Sequence, residues 1–102
     1  MADATFKSFK EFYPYYLAEH SDRTCRRLHF IGSFLGLVCL SAAIVTLNPW
    51  FVLAGLVQGY AFAWVGHFFF EKNKPATFKY PRYSFIGDWV MFKDMLTGRI
   101  AF

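Results

Sequence analysis

Charged and apolar positions are segregated along this chain. From Leu28 to Phe70 there is no Asp, Glu, Lys or Arg, and all eleven basic and seven acidic residues lie in the two flanks. As helix, Phe30 to Leu47 is about 27 Å long and Pro49 to Phe70 about 33 Å. Each matches a hydrocarbon core of roughly 30 Å. Asn48-Pro49 between them is a turn signal, so the spans predict a tight antiparallel hairpin with both termini on one side. In the flanks the apolar spacing shortens. Phe6, Phe9, Tyr13, Tyr16 and Leu17 recur at three- and four-residue intervals, predicting an amphipathic helix that Pro14 bends or divides. Such a helix rests in a membrane interface or packs on the rest of the protein. Phe85, Trp89, Phe92 and Leu96 predict a second one, beginning after Ser84 as cap. The expected architecture is an all-α membrane protein: an antiparallel two-helix transmembrane hairpin flanked by interfacial amphipathic helices. It forms a single membrane domain over 1–102, with an interfacial helix at 1–20, transmembrane helices at 22–47 and 49–73, and an interfacial helix at 85–97.

Composition agrees with that pattern. The chain has 102 residues, 56% of them apolar and 23% aromatic. A soluble domain this small buries only roughly 60% of its surface, too little to hide the uncharged stretch, so the bilayer is the expected solvent. Arg23, Arg26 and Arg27 precede the first span, and Lys72, Lys74 and Lys79 follow the second. By the positive-inside rule both termini are cytoplasmic, in a bacterial inner membrane or the endoplasmic reticulum. This basic charge flanks apolar spans without forming a compact nucleic-acid motif, so nucleic acid is excluded as a partner. Residues 1–18 lack the pattern of a secretory signal. Cys25 and Cys39 would lie about 21 Å apart on one helix, beyond disulfide reach, and are read as free thiols.

The candidate chemistry sits where the spans meet charge. Ser21 or Asp22 can cap the first long helix, which puts His20 just before it and His29 about two turns inside. Residues equidistant from the turn lie at equal depth, which sets His29 level with His67 and Gly32 level with Gly66 at the cytoplasmic mouth. Glu71 follows His67 by one helical turn on the same face. Imidazole and carboxylate suit Fe, Zn, Cu or Ni, and a small histidine set with open positions is the pattern of non-haem iron oxygen chemistry. The opposing reading has each histidine capping a helix end or bonding a headgroup. Gly32-x-x-x-Gly36 and Gly55-x-x-x-Gly59 are spaced for close helix packing, and Gln58 for an interhelical hydrogen bond. The flanking Lys and Arg suit lipid phosphates or the carboxylate of an amphiphilic substrate. Asp88 reaches back toward a metal-bound histidine or stays a surface carboxylate.

Two segments carry a resemblance: Phe12-Tyr13-Pro14-Tyr15-Tyr16-Leu17-Ala18-Glu19-His20 through His29-Phe30, and Val65-Gly66-His67-Phe68-Phe69-Phe70-Glu71-Lys72-Asn73-Lys74-Pro75-Ala76. Together they resemble the Mpo1-like family of small membrane proteins, whose fungal member is a 2-hydroxy fatty acid dioxygenase of the endoplasmic reticulum that uses ferrous iron. The resemblance implies Fe(2+) as cofactor, His20, His29 and His67 as its ligands, and O₂ and a 2-hydroxy fatty acid as substrates. The reaction implied is alpha-oxidation, shortening the acid by one carbon. It also implies that Glu71 serves as a fourth ligand or orients His67, with Arg26, Arg27 or Lys72 holding the substrate carboxylate. The fungal enzyme has further apolar segments between the two conserved ends, which Asn48-Pro49 here joins directly. A homo-oligomer is one way for the shorter form to enclose a site. The alternative function is a non-enzymatic hairpin that shapes membrane or binds a partner, which would not depend on the histidines.

Overall fold

The computed structural model describes residues 6–102, and every regular element among them is a helix. The helices are α1 (Phe9–Ala18), α2 (Arg23–Thr46), α3 (Trp50–Val65) and α4 (Pro81–Leu96). A π-helical turn over Gly66–Glu71 prolongs α3, and a short 3-10 turn, Ala76–Phe78, leads into α4.

Helices α2 and α3 form the expected antiparallel hairpin. Asp22 caps α2 by accepting the Cys25 N–H at 2.9 Å, and Leu47 ends it in the left-handed region. Asn48 Oδ1 then receives the Trp50 N–H and starts α3. Both α2 and the continuous Trp50–Glu71 helix are long and apolar enough to cross a membrane. Neither resembles the core helix of a soluble protein, because their large apolar side chains face outward: Val45 is 82% exposed and Trp50 72%.

The hairpin register differs from the one equidistance from the turn predicts. A Cβ on Gly32 would lie 3.3 Å from Gly59 Cα, one on Gly55 3.6 Å from Gly36 Cα, and one on Gly66 3.2 Å from Cys25 Cα. Gly32 thus faces Gly59 instead of Gly66. Small residues set the register, since close backbone approach maximises van der Waals contact between helices. Gln58 ties it, donating to the carbonyls of Gly32 and Gly55 at 2.8 and 2.9 Å. His29 and His67 still converge, because helical side chains lean toward their own N-termini. In an antiparallel pair, one leans outward and the other inward.

The flanking helices pack on each other and on the hairpin's mouth. Ser8 caps α1, and the helix runs unbroken through Pro14 instead of being divided there. Residues 1–5 of the expected first helix lie outside the described residues. Phe12 and Tyr16 of α1 are fully buried with Tyr80, Met91 and Met95, and the Tyr13 hydroxyl donates to Asp94 of α4. Helix α4 begins at Pro81, four residues before the expected start, because proline's fixed φ suits the first helical position. Ser84 is therefore a buried residue of the first turn and not a cap. Phe30 of α2 stacks on Phe92 with ring centroids 4.7 Å apart, joining α4 to the hairpin.

Candidate metal centre

The three histidines come from three different elements and meet in the interior. His20 follows α1, His29 lies in α2, and His67 lies in the π-helical turn. They are 1%, 5% and 2% exposed. Each is oriented through Nδ1: His20 bonds the Tyr16 carbonyl at 2.6 Å, His29 the Cys25 carbonyl at 2.8 Å, and His67 Asn73 Oδ1 at 2.7 Å. The amide of Asn73 is itself fixed, because its Nδ2 donates to the Glu19 carbonyl at 3.1 Å.

Protonation follows from those partners. A carbonyl or amide oxygen only accepts, so each Nδ1 carries the proton and each Nε2 is left with a lone pair. These lone pairs converge: His20 Nε2 lies 3.1 Å from that of His29 and 2.9 Å from that of His67. One ligand atom from each residue falls within a single 4.8 Å set. Burial, with the charges that His29 and His67 would carry, holds His20 well below its ordinary pKa and keeps it neutral. Three neutral rings facing one another through unprotonated nitrogens cannot satisfy one another, and a cation between them would. The donor set fits a metal ion, since imidazole binds metal in its neutral form with the other nitrogen held by an oxygen.

The surrounding residues fix this geometry. Tyr16 stacks on His20 with centroids 4.0 Å apart, and its hydroxyl donates to Asp88. Burial and the Asp88 charge raise the Tyr16 phenol well above its usual range, and burial raises Asp88 to about 7. The π-helical turn places His67 so that the chain can close over it, with the Asn73 N–H donating to the His67 carbonyl at 3.0 Å. Turns of this type recur at functional sites.

A family model described as 2-hydroxy-palmitic acid dioxygenase Mpo1-like matches residues 6–100. The chain belongs to the Mpo1-like family. No curated protein and no solved structure matches it.

The other residues singled out in this Mpo1-like sequence are placed elsewhere. Glu71 is not in the histidine set. Its carboxylate accepts from the Ser21 N–H at 3.1 Å, the Ser21 hydroxyl at 2.6 Å and the Asp22 N–H at 2.6 Å, holding the loop that carries His20. Arg26 donates to the carbonyls of His20 and Ser21, and Arg27 to that of Phe102, over whose ring it also lies. Lys72 is an exposed residue in the left-handed region, ending the π-helical turn. None of these three cations lines the cavities beside the histidines. Asn73, Tyr16 and Ser84 were not read from the sequence as site residues. For Asn73 the available signal was its place just after the Glu71-Lys72 helix end, where a short amide can turn back on the helix.

Proposed function

We propose that this Mpo1-like chain is an Fe(II)-dependent membrane dioxygenase that shortens 2-hydroxy fatty acids by one carbon. The observation carrying this reading is the convergence of three buried, lone-pair Nε2 atoms on one point. His20, His29 and His67 would hold the ion, and three protein ligands leave positions open, as in non-haem iron oxygenases. Fe(II) bound there would supply the oxygen chemistry that removes the carboxyl carbon. The protein's own part is to present three neutral imidazoles, fix their rings through Tyr16, Cys25 and Asn73, and keep bulk water from a site that is almost fully buried. Glu71 acts on His20 indirectly, by holding Ser21 and Asp22.

The setting is a bilayer in this reading. The outward apolar faces of α2 and α3 contact lipid, and the basic flanks keep both termini in the cytoplasm. Chain 1–102 works as one membrane domain, with α1 and α4 at the interface above the hairpin's mouth. The substrate's acyl chain stays in the apolar phase while its head reaches the histidines.

Oxygen uptake by reconstituted, Fe(II)-loaded protein tests the reaction. Uptake with 2-hydroxyhexadecanoic acid, an acid one carbon shorter as product, and loss of both in each His→Ala variant are expected. Iron-loaded, folded protein that consumes no oxygen with 2-hydroxy acids of any chain length would overturn the reading and favour the non-enzymatic hairpin.

A further inference from the structure

Two cavities adjoin at the histidines. One is a chamber of about 20 Å³ with the three imidazoles, Tyr16, Ser84 and Asp88 in its wall, large enough for a single water-sized group. The other is a groove of about 230 Å³ along the hairpin, floored by Gly32, Gly36, Gly55 and Gly59 and walled by Phe85 and Trp89 of α4. His29, Tyr60, Ala63 and Asp88 line both spaces. The groove's far end reaches Leu40 and Val52.

The polar groups at the junction are unevenly committed. Ser84 is 3% exposed, yet its hydroxyl has no partner among the described residues. Asp88 uses Oδ1 to accept from Tyr16, and no hydrogen bond among the described residues engages Oδ2. Asp88 is partly exposed and lines both cavities. The basic residues expected to grip a substrate are elsewhere, with Arg26 and Arg27 bonded to backbone carbonyls.

We propose that the groove takes the acyl chain of a 2-hydroxy fatty acid, and that Asp88 and Ser84 receive its 2-hydroxyl. Asp88 thereby becomes the residue that distinguishes a 2-hydroxy acid from its analogues. The choice of ligand rests on the dioxygenase reading; the site itself rests on the cavities and the idle polar atoms. Asp88 is ionised above pH of about 7, where the binding below is read. As a carboxylate it accepts from a hydroxyl, which has a proton to give, and repels a second carboxylate. A buried hydroxyl with no partner is costly until a ligand group meets it. From His29 to Leu40 the groove follows about 16 Å of helix, the length of roughly a dozen extended methylenes. The glycine floor leaves the groove open: a Cβ on Gly36 would meet Trp89 Cη2 at 3.9 Å, an ordinary contact, and a longer side chain there would enter the groove.

The test is displacement of radiolabelled 2-hydroxyhexadecanoate from the full chain in detergent, treated with chelator so that binding is read without turnover. The parent is expected to bind 2-hydroxyhexadecanoate at least about fivefold more tightly than the isosteric 2-fluoro acid, as a buried hydrogen bond implies. Asp88→Asn keeps an acceptor for Tyr16 but turns an N–H toward the chamber, and should bring that ratio to within about twofold of unity. Ser84→Ala should weaken the 2-hydroxy acid about threefold and spare the 2-fluoro acid. Gly36→Leu should weaken hexadecanoyl ligands at least about tenfold while sparing octanoyl ones, and Gly36→Ala, which fits without clash, should shift the same preference less. A parent that binds both head groups equally, or an Asp88→Asn variant that retains the preference, overturns the proposal. Hydroxyl preference without oxygen uptake on iron loading would defeat the dioxygenase reading alone. Oxygen uptake with an unaltered preference in Asp88→Asn would defeat this site alone.

Discussion

Each imidazole of the cluster is positioned by an oxygen that cannot donate, and His67 alone depends on a side chain for it. Removing that acceptor frees the ring without disturbing a helix. Asn73→Ala should therefore weaken metal binding by about 10–100-fold, the range found for such supporting partners. Competition with a chelator of known affinity checks this, and an unchanged affinity would mean that Asn73 does not fix the ring. Asp88 gives a second residue-level prediction. Burial raises its pKa from 3.8 to about 7, so the folded state favours the protonated form. That contribution to stability is fully present below the ordinary carboxylate pKa and is lost as pH rises through about 7. The melting temperature of the parent relative to Asp88→Asn should fall between pH of about 4 and about 8. His20, held low by burial, titrates with opposite sign in both proteins and drops out of the difference. A difference independent of pH would contradict the burial of Asp88. The histidines were legible in the sequence because the chain has three and a hairpin limits where they can go. Asn73 was not, because its role depends on a left-handed Lys72 that turns the chain back on His67.

At the scale of elements, helix junctions decide the site. A Cβ on Gly87 would lie 2.9 Å from the Tyr16 ring, and that ring cannot move without leaving His20. Gly87→Ala should cost about 1–3 kcal/mol of stability and loosen the metal with it; thermal unfolding and metal titration on one preparation would show both. Glu71 separates two roles cleanly. As the acceptor that holds Ser21 and Asp22, its replacement by Gln should lower stability by about 1–2 kcal/mol and leave the ion bound. A ligand role would instead change the metal's coordination, which X-ray absorption would detect. The hydrophobic pattern showed two spans and a turn, since a 3.6-residue period is written in apolar spacing. It did not show the register, which small-residue packing sets, or the π-helical turn, which alters phase without altering composition. Nor did an α-helical period, which aligns Glu71 with His67, show that its carboxylate also bonds the loop carrying His20. The start of α4 was missed because Pro81 was read as part of a loop, although proline also opens helices.

For the whole molecule, function depends on two packed halves meeting at one mouth. Helices α1 and α4 bring His20, Tyr16, Ser84 and Asp88; the hairpin and its π-helical extension bring His29, His67 and the groove. With so much apolar surface outside, the chain should stay with membranes through alkaline carbonate extraction. Release into the supernatant would contradict the membrane setting while leaving the cluster's geometry intact. The central claim is that the three Nε2 atoms hold an ion, and metal content per chain tests it most directly. Protein purified in detergent without oxygen and reconstituted with Fe(II) should carry about one iron per chain, or a fixed fraction per oligomer, as one three-imidazole site requires. His67→Ala, folded to the same extent, should carry none. A folded parent that retains no metal after reconstitution, or a His67→Ala variant that retains as much as the parent, would contradict the account.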